Sequence, residues 1–250
     1  MIVYTAIYGK YDKLIEQPDI GVEYVCYTDD PNLISNCWEI RYEPLSCHPV
    51  MAAKYWKVMC PFEESIWIDA NMEIVDTNFV NEIFKFVTEV IGFYPHPFRH
   101  TVSAEIAVLK KKGIGELMDT QYKKYLKTGW KDTRLFCGGI IARHRDCREL
   151  GARWLKEIEQ WTWRDQVSLP FVLWRTKTPV SKIRRDMYAD TPHVVYPHYS
   201  EIADWTPKEI DKYCRNRSRL FAHKYVWPER RRLKYYKEYK EKLIVFKDTL

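Results

Sequence analysis

The stretch Ser65-Ile66-Trp67-Ile68-Asp69-Ala70-Asn71 decides the reading of this chain. A short apolar run breaks off into an acid, a small residue and an amide. A buried strand delivers the residues past its end into a crevice, and open α/β sheets bind ligands just beyond the carboxyl ends of their strands. On an extended chain residues i and i+2 face one way, so Asp69 and Asn71 are expected to point together. A carboxylate and an amide oxygen are hard donors, of the kind Mg²⁺ or Mn²⁺ takes while bridging a diphosphate.

Working outward, apolar runs that stop at polar or glycine-containing turns recur. Ile2 to Ile7 reads as a strand ended by Tyr8-Gly9-Lys10-Tyr11-Asp12, and Val22 to Tyr27 as a second ended by Thr28-Asp29-Asp30-Pro31. Trp38 to Tyr42 is a third. Pro49 to Met59 fits a helix that starts at a proline, with Ala52, Ala53, Trp56 and Met59 on one face. Asn78 to Val90 reads as an amphipathic helix, and Ile91 to Tyr94 as a strand leading into Pro95-His96-Pro97-Phe98-Arg99-His100. Glu105 to Leu126 is helical with a break at Gly113 and Gly115. Leu135 to Ala142 is a strand loosened by Gly138 and Gly139. Leu150 to Trp161 is helical, and Arg164-Asp165-Gln166 opens a further helix with Asp165 near its N-cap.

Strands alternate with helices to about residue 175, the signature of an α/β sandwich. Residues 176 to 228 read as irregular wrapping segments, and Glu229 to Leu243 as a basic helix. If the strands are neighbours, Tyr8-Gly9, Thr28-Asp29, Asp69-Asn71 and His96-Arg99 line one crevice. There Gly9 lets backbone approach a ligand. Asp29 offers an acceptor for a base N–H, and Lys54 and Lys57, one helical turn apart, can both reach a phosphate. Ordinary polar loops and a solvated lysine face would produce the same pattern.

Bulk properties bound the partners. The chain has 250 residues, 46% apolar and 30% charged, which excludes general disorder. Its ten Trp and eighteen Tyr suit a core and also sugar or base sites. The net charge of +6 favours anionic partners without choosing among nucleotides, nucleic acid and an acidic membrane. Seven cysteines without a C-x-x-C pair argue against a disulfide framework or a zinc site. No leader-like segment and no apolar run near ~20 residues is visible, so a cytoplasmic protein is expected.

Several of these segments together resemble the TOD1/MUCI70-type glycosyltransferase-like family. They are Tyr4-Thr5-Ala6-Ile7-Tyr8-Gly9-Lys10-Tyr11-Asp12, Cys26-Tyr27-Thr28-Asp29, Ala53-Lys54-Tyr55-Trp56-Lys57, the Ser65–Asn71 stretch, His96-Pro97-Phe98-Arg99 with Glu105, Gly139-Ile140-Ile141-Ala142-Arg143-His144 and Arg164-Asp165-Gln166-Val167-Ser168-Leu169. The likeness runs in order over residues 2 to 175. It implies a GT-A-like α/β/α sandwich with a mixed, mainly parallel central sheet. Residues 1–200 would form the glycosyltransferase domain and 201–250 a basic C-terminal helical extension packed on it.

The implied activity is transfer of a sugar from a nucleotide-diphosphate donor to an acceptor hydroxyl, a glycan first of all, assisted by Mn²⁺ or Mg²⁺. The resemblance implies a donor site of Thr5, Ile7, Tyr8, Gly9, Asp29, Lys54, Lys57, Asp69, Ala70, His96, Gly138 and Gly139. It places Asp69 and Asn71 where such enzymes carry a D-x-D metal motif, with Asn in place of the second acid, and leaves His223 or His198 to complete the metal shell. Asp165, flanked by Arg164, is the candidate general base, since a nearby carboxylate can take the acceptor proton. Its capping role, worth about 1 kcal/mol, is compatible with that. Arg99 and Arg143 are candidates to neutralise the departing diphosphate, and each can equally pair with an acid such as Glu105. The basic tail, Arg230 to Lys242, suits a solvated helix face or an anionic surface partner. Two alternatives therefore stay open: a DNA-modifying glycosyltransferase, and a non-catalytic sugar-nucleotide or glycan-binding module.

Overall fold

The computed structural model describes residues 1–113, 116–183, 187–188 and 191–248. In chain order the elements are β1 (Ile2–Ile7), β2 (Glu23–Thr28), β3 (Trp38–Tyr42), α1 (Pro49–Met59), β4 (Ser65–Ile68), β5 (Met72–Ile74) and α2 (Phe79–Phe84). Next come β6 (Ile91–Pro95), α3 (Val102–Lys111), α4 (Glu116–Lys127), β7 (Phe136–Arg143), α5 (Arg148–Gln160) and α6 (Asp165–Thr176). The chain ends with β8 (Val180–Lys182), β9 (His193–Val195), α7 (Tyr199–Ile202), α8 (Pro207–Tyr225) and α9 (Glu229–Asp248).

Seven strands form one sheet in the order β3-β2-β1-β4-β7-β6-β8, and β5 pairs separately with β9. The pairs β1–β2, β2–β3, β1–β4 and β6–β8 are parallel, whereas β7 runs antiparallel to both β4 and β6. This is an α/β fold with a mixed, mostly parallel sheet and C-terminal helices, as a GT-A-like architecture requires. Side chains of β1 alternate between two cores. Tyr4 and Ala6 pack with α1, α3, α5 and α6, while Val3 and Ile7 pack on the opposite face with Phe79 and Ile83 of α2. A strand flanked on both faces has no polar side, which is why Ser65–Ile68 is wholly buried.

Topology alone makes the crevice. The strands β1, β2, β4 and β6 run in one direction, so their carboxyl ends share one edge of the sheet. The antiparallel β7 starts on that same edge and brings Gly138 and Gly139 to it.

The structure departs from the sequence expectations in several places. The helix expected over Asn78 to Val90 stops at Phe84. The long helix from Glu105 splits into α3 and α4; Gly113, at φ +77°, lies just past α3, and Gly115 falls outside the described residues. The largest correction lies within 176–228, which is not irregular. It holds β8, β9, α7 and the 19-residue α8. Thr206 caps α8 with a full capping box to Glu209, and Pro207 occupies its first turn. Helices α8 and α9 pack around Cys214, Tyr239, Leu243 and Phe246, together with Ile15 and Tyr196. Part of the α9 charge is paired, Lys240 with Asp211 and Lys242 with Glu73. All seven cysteines are free. Among the described residues no helix is long and apolar enough to cross a membrane.

Helices α1 and α5 approach so closely at Gly151 that a Cβ there would stand 2.3 Å from the Val58 carbonyl oxygen. Backbone cannot yield as a flexible side chain can. Gly151→Ala is expected to destabilise the fold by about 1–3 kcal/mol, in the range of core overpacking. The urea midpoint of the variant measures this, and an unchanged midpoint would contradict the packing.

Candidate functional site

At the shared edge, α1 ties two strand ends together through consecutive residues. Trp56 Nε1 donates to Tyr8 Oη at 2.7 Å, past the end of β1. Lys57 Nζ donates to Asp69 Oδ1 at 3.1 Å, past the end of β4. Helix α1 starts at Pro49, and His48 Nδ1 accepts from the Val50 amide at 3.3 Å. The Gly9 turn fits beneath it. Gly9 takes φ +62°, and a Cβ there would lie 2.8 Å from the Pro49 ring, so only glycine suits.

Lys54 and Lys57, one turn apart, converge on Asp165 at the start of α6. Lys54 Nζ lies 2.9 Å and Lys57 Nζ 3.1 Å from Asp165 Oδ2. With the Lys57–Asp69 contact this makes a quartet of two ammoniums and two carboxylates. The Lys57 and Asp165 side chains are almost wholly enclosed. Gly138 and Gly139 form its floor. A Cβ on Gly138 would meet Lys57 Nζ at 3.2 Å and Asp165 Oδ2 at 3.3 Å, and one on Gly139 would stand 3.3 Å from Asp69 Oδ2. The Asp69 amide donates to the Gly139 carbonyl at 2.8 Å, fixing β4 against β7.

Electrostatics follow from the quartet. Burial disfavours a charged Asp165, yet Lys54 and Lys57 outweigh it and hold the carboxyl far below the usual range. Asp69 is lowered the same way: burial opposes ionisation, and Lys57, Lys54 and the Trp67 indole N–H at 2.8 Å overcome it. The lysines divide. Burial wins at Lys54 and lowers it, whereas Lys57, facing both acids, is raised despite its burial.

The site residues sort as follows. Asp29 lies beside Gly9, whose amide donates to both of its carboxylate oxygens at 3.0 and 3.1 Å. Thr5 is fully buried within β1 and Ile7 nearly so. Ala70 sits in a turn closed by Met72 N–H to the Asp69 carbonyl. That turn overturns the extended reading of Asp69 and Asn71. The Asn71 amide instead swings to donate from Nδ2 to the Tyr196 carbonyl at 2.6 Å, leaving its buried Oδ1 without a hydrogen bond. Asp165 is not the N-cap but the first helical residue after Arg164, and its Oδ1 accepts from the Gln166 amide at 3.0 Å.

His96 is buried, and its Nδ1 accepts from the Phe98 and Arg99 amides. Burial pushes its pKa down to about 3, with the Arg99, Lys224 and His100 charges adding to the fall. Arg99 pairs with buried Glu105. Arg143 stands opposite Ser65, at the start of β4 and thus away from the crevice, where it donates to Tyr4 Oη and the Lys57 carbonyl. It does not reach a diphosphate past the end of β4. Arg164 stacks over Trp163 at 4.6 Å, and its charge acts on Tyr11 beside the Gly9 turn.

His223 is exposed on α8, whereas His198 is the histidine whose charge reaches Asp69. The sequence reading missed what holds it. Asp12 accepts from His198 Nδ1 at 2.7 Å and from the Tyr199 amide at 2.8 Å. Burial favours neutral His198, but Asp12, Asp69 and Glu201 together raise its pKa. Asp12 closes the quoted Tyr8–Asp12 turn, yet its partner lies 186 residues on. Among the described residues no three His, Cys, Asp or Glu side chains form a ready metal cluster. The Asp69 carboxylate and the buried, unbonded Asn71 Oδ1 are each oxygen donors of the type Mg²⁺ or Mn²⁺ takes beside substrate phosphate.

Stability should depend on acid through the quartet. A lowered folded pKa means that Asp165 stabilises above the unfolded value of about 3.9 and loses this as pH falls below it. Asp165→Asn leaves two buried ammoniums short of a counter-charge, at an expected cost of about 3–5 kcal/mol. Its stability should also fall less steeply than the wild type's below pH ~4. Parallel urea titrations across pH 2–7 measure both, and coincident curves would contradict the pairing.

The TOD1/MUCI70, glycosyltransferase-like domain model matches residues 56–195, more than half of the chain. A comparison with curated proteins finds none that matches. The matched span contains Lys57, Asp69, Gly138, Gly139 and Asp165, four strands of the main sheet and the β5–β9 pair. The chain belongs to the TOD1/MUCI70 glycosyltransferase-like domain family.

Proposed function

We propose that the protein transfers a sugar from a nucleotide-diphosphate donor to a hydroxyl of an acceptor glycan. One observation carries this reading: the quartet of Lys54, Lys57, Asp69 and Asp165, with Lys57 and Asp165 almost wholly enclosed, set over two glycines at the carboxyl edge of the sheet. Two ammoniums at the floor of such an edge suit a diphosphate, as P–O⁻ groups compete well for N–H donors. Arg164, which precedes Asp165 and whose charge acts on Tyr11 past the Gly9 turn, would be the third cation.

The chemistry needs charge neutralised where it develops and a proton removed from the acceptor. The acceptor oxygen attacks the anomeric carbon, the bond from that carbon to the diphosphate breaks, and the diphosphate leaves with the electron pair. Lys54, Lys57 and Arg164 receive the growing negative charge. Asp165 takes the hydroxyl proton. With both lysines on it, Asp165 is a weak base. A diphosphate that draws Lys54 and Lys57 away lifts that restraint, so donor binding readies the base. Asp69 and Asn71 Oδ1 would hold Mn²⁺ or Mg²⁺, which supplies further charge neutralisation on the phosphates; His198, oriented by Asp12, is the nearer histidine to them. Gly9 and Asp29 border the nucleoside side, and His96 and Arg99 the opposite side.

Screening nucleotide-diphosphate sugars for thermal stabilisation in the presence of Mn²⁺ tests the reading. A donor at 100 times its Kd contributes about 2.7 kcal/mol. At this size that raises Tm by roughly 5–10 °C. Asp69→Ala should remove the shift and lower transfer by about 10²-fold or more, with its circular dichroism spectrum unchanged. Full activity in Asp69→Ala would defeat the assignment. Donor binding without any turnover would leave a sugar-nucleotide binding module.

A further inference from the structure

Beside the quartet, past the end of β6, lies a second hollow of about 340 Å³. Phe98, Tyr188, Tyr213, Arg217, Leu220 and Phe221 line it. It adjoins the candidate transfer site from two directions. The Met187 methyl lies 2.3 Å from where a Gly139 Cβ would stand, the same point that is 3.3 Å from Asp69 Oδ2, and Tyr188 is the next residue. Burial raises the Tyr188 hydroxyl pKa, and the Asp69 charge adds to that rise. On the other wall Lys224 stands 4.5 Å over the Phe98 ring, and its charge acts on His96.

The walls are aromatic faces. Phe98, Tyr188 and Phe221 pack on one another, with ring centroids 6.2, 6.3 and 6.1 Å apart. Phe98 and Leu220 are exposed although large and apolar. Such faces suit the C–H face of a sugar ring, and the volume sits at the small end of ligand sites, ~300–1,000 Å³. A purely apolar ligand fits less well because of Arg217. Its Nε donates to Tyr235 Oη, and its two terminal nitrogens donate to Tyr213 Oη and the Val195 carbonyl. Three of the five guanidinium N–H groups are thus bonded, and no acid pairs with it among the described residues. An alkyl chain would bury the remaining N–H groups unmet, at a cost that a hydroxyl or carboxylate oxygen removes.

The origin of the walls is informative. Phe98 and Tyr188 lie inside the family-matched span, while Tyr213, Arg217, Leu220 and Phe221 belong to α8 beyond it. The matched span supplies Lys57, Asp69 and Asp165 of the quartet, Lys54 comes from just before it, and the following segment supplies one side of the hollow.

We infer that this hollow is the acceptor subsite, seating a pyranose ring of a glycan against the exposed Phe98 ring and Leu220 of α8, with a ring hydroxyl or carboxylate accepting from Arg217. This rests on the transferase reading for the word acceptor, and its test is separable from that reading. Wild type, Phe98→Ala and Asn216→Trp, the last filling the hollow from an exposed helix position, are applied to an array of neutral and uronic-acid-bearing oligosaccharides. Wild type should retain at least one oligosaccharide, and each variant should bind it at least tenfold more weakly. The thermal shift from nucleotide sugars should persist in both variants. Stronger retention of acidic members assigns a carboxylate to Arg217, and of neutral members a hydroxyl. No retention by wild type, or equal retention by both variants, overturns the inference. Loss of glycan in the variants, with no nucleotide sugar shifting the wild type, keeps the glycan site and removes the transferase.

Discussion

Lys57 stands between two carboxylates in a nearly dry space, and the arrangement of the crevice depends on that contact. It joins α1 to the end of β4 through Asp69 and to the start of α6 through Asp165. Without it α1 would lose its bond to the end of β4, and Lys54 alone would hold it to α6. Buried ion pairs of this kind are poor sources of net stability, because desolvation consumes most of the Coulomb gain. Their geometry is nonetheless strongly enforced, since removing one member strands the others. A stabilising core would be better served by apolar side chains.

The glycines are the counterpart of the charges. At Gly138 and Gly139 any side chain would fall among Lys57, Asp165 and Asp69, or against Met72 and Met187. The first two residues at the entry of β7 after Cys137 are therefore kept bare so that polar groups of three other elements can close over them. This is a packing requirement of the site and not of strand formation, for which glycine is a poor residue.

Much of the architecture was readable because strand ends are written in local chemistry. Ile2–Ile7, Trp38–Tyr42, Pro49–Met59 and Ser65–Ile68 emerge with the bounds their apolar runs suggest. Lys54 and Lys57 were legible as a pair from helical spacing. Their partner was not, since Asp165 lies more than a hundred residues away and only the sheet order brings it near. Asn71 misled for the same reason. A local alternation rule placed it beside Asp69, but the Tyr196 backbone captured its amide. The segment before residue 228 holds a helix whose start signal, Thr206-Pro207-Lys208-Glu209, lies among Pro, His and Tyr residues that break any longer periodicity. Asp12 and His198 belong together only in three dimensions.

The capture of Asn71 bears on how this protein can be dissected. Tyr196 holds Asn71 twice, accepting from its side chain and donating its amide to the Asn71 carbonyl at 2.9 Å, while its hydroxyl bonds Glu73 at 2.5 Å. The recognisable family span stops at residue 195, one short of it. A polypeptide cut at that point would keep every strand of the large sheet and lose the brace on its own central turn. Similarity thus stops one residue short of this brace, and any attempt to transplant the shared portion into another scaffold has to carry both the residues that follow it and the preceding β1, β2 and β3 of the sheet.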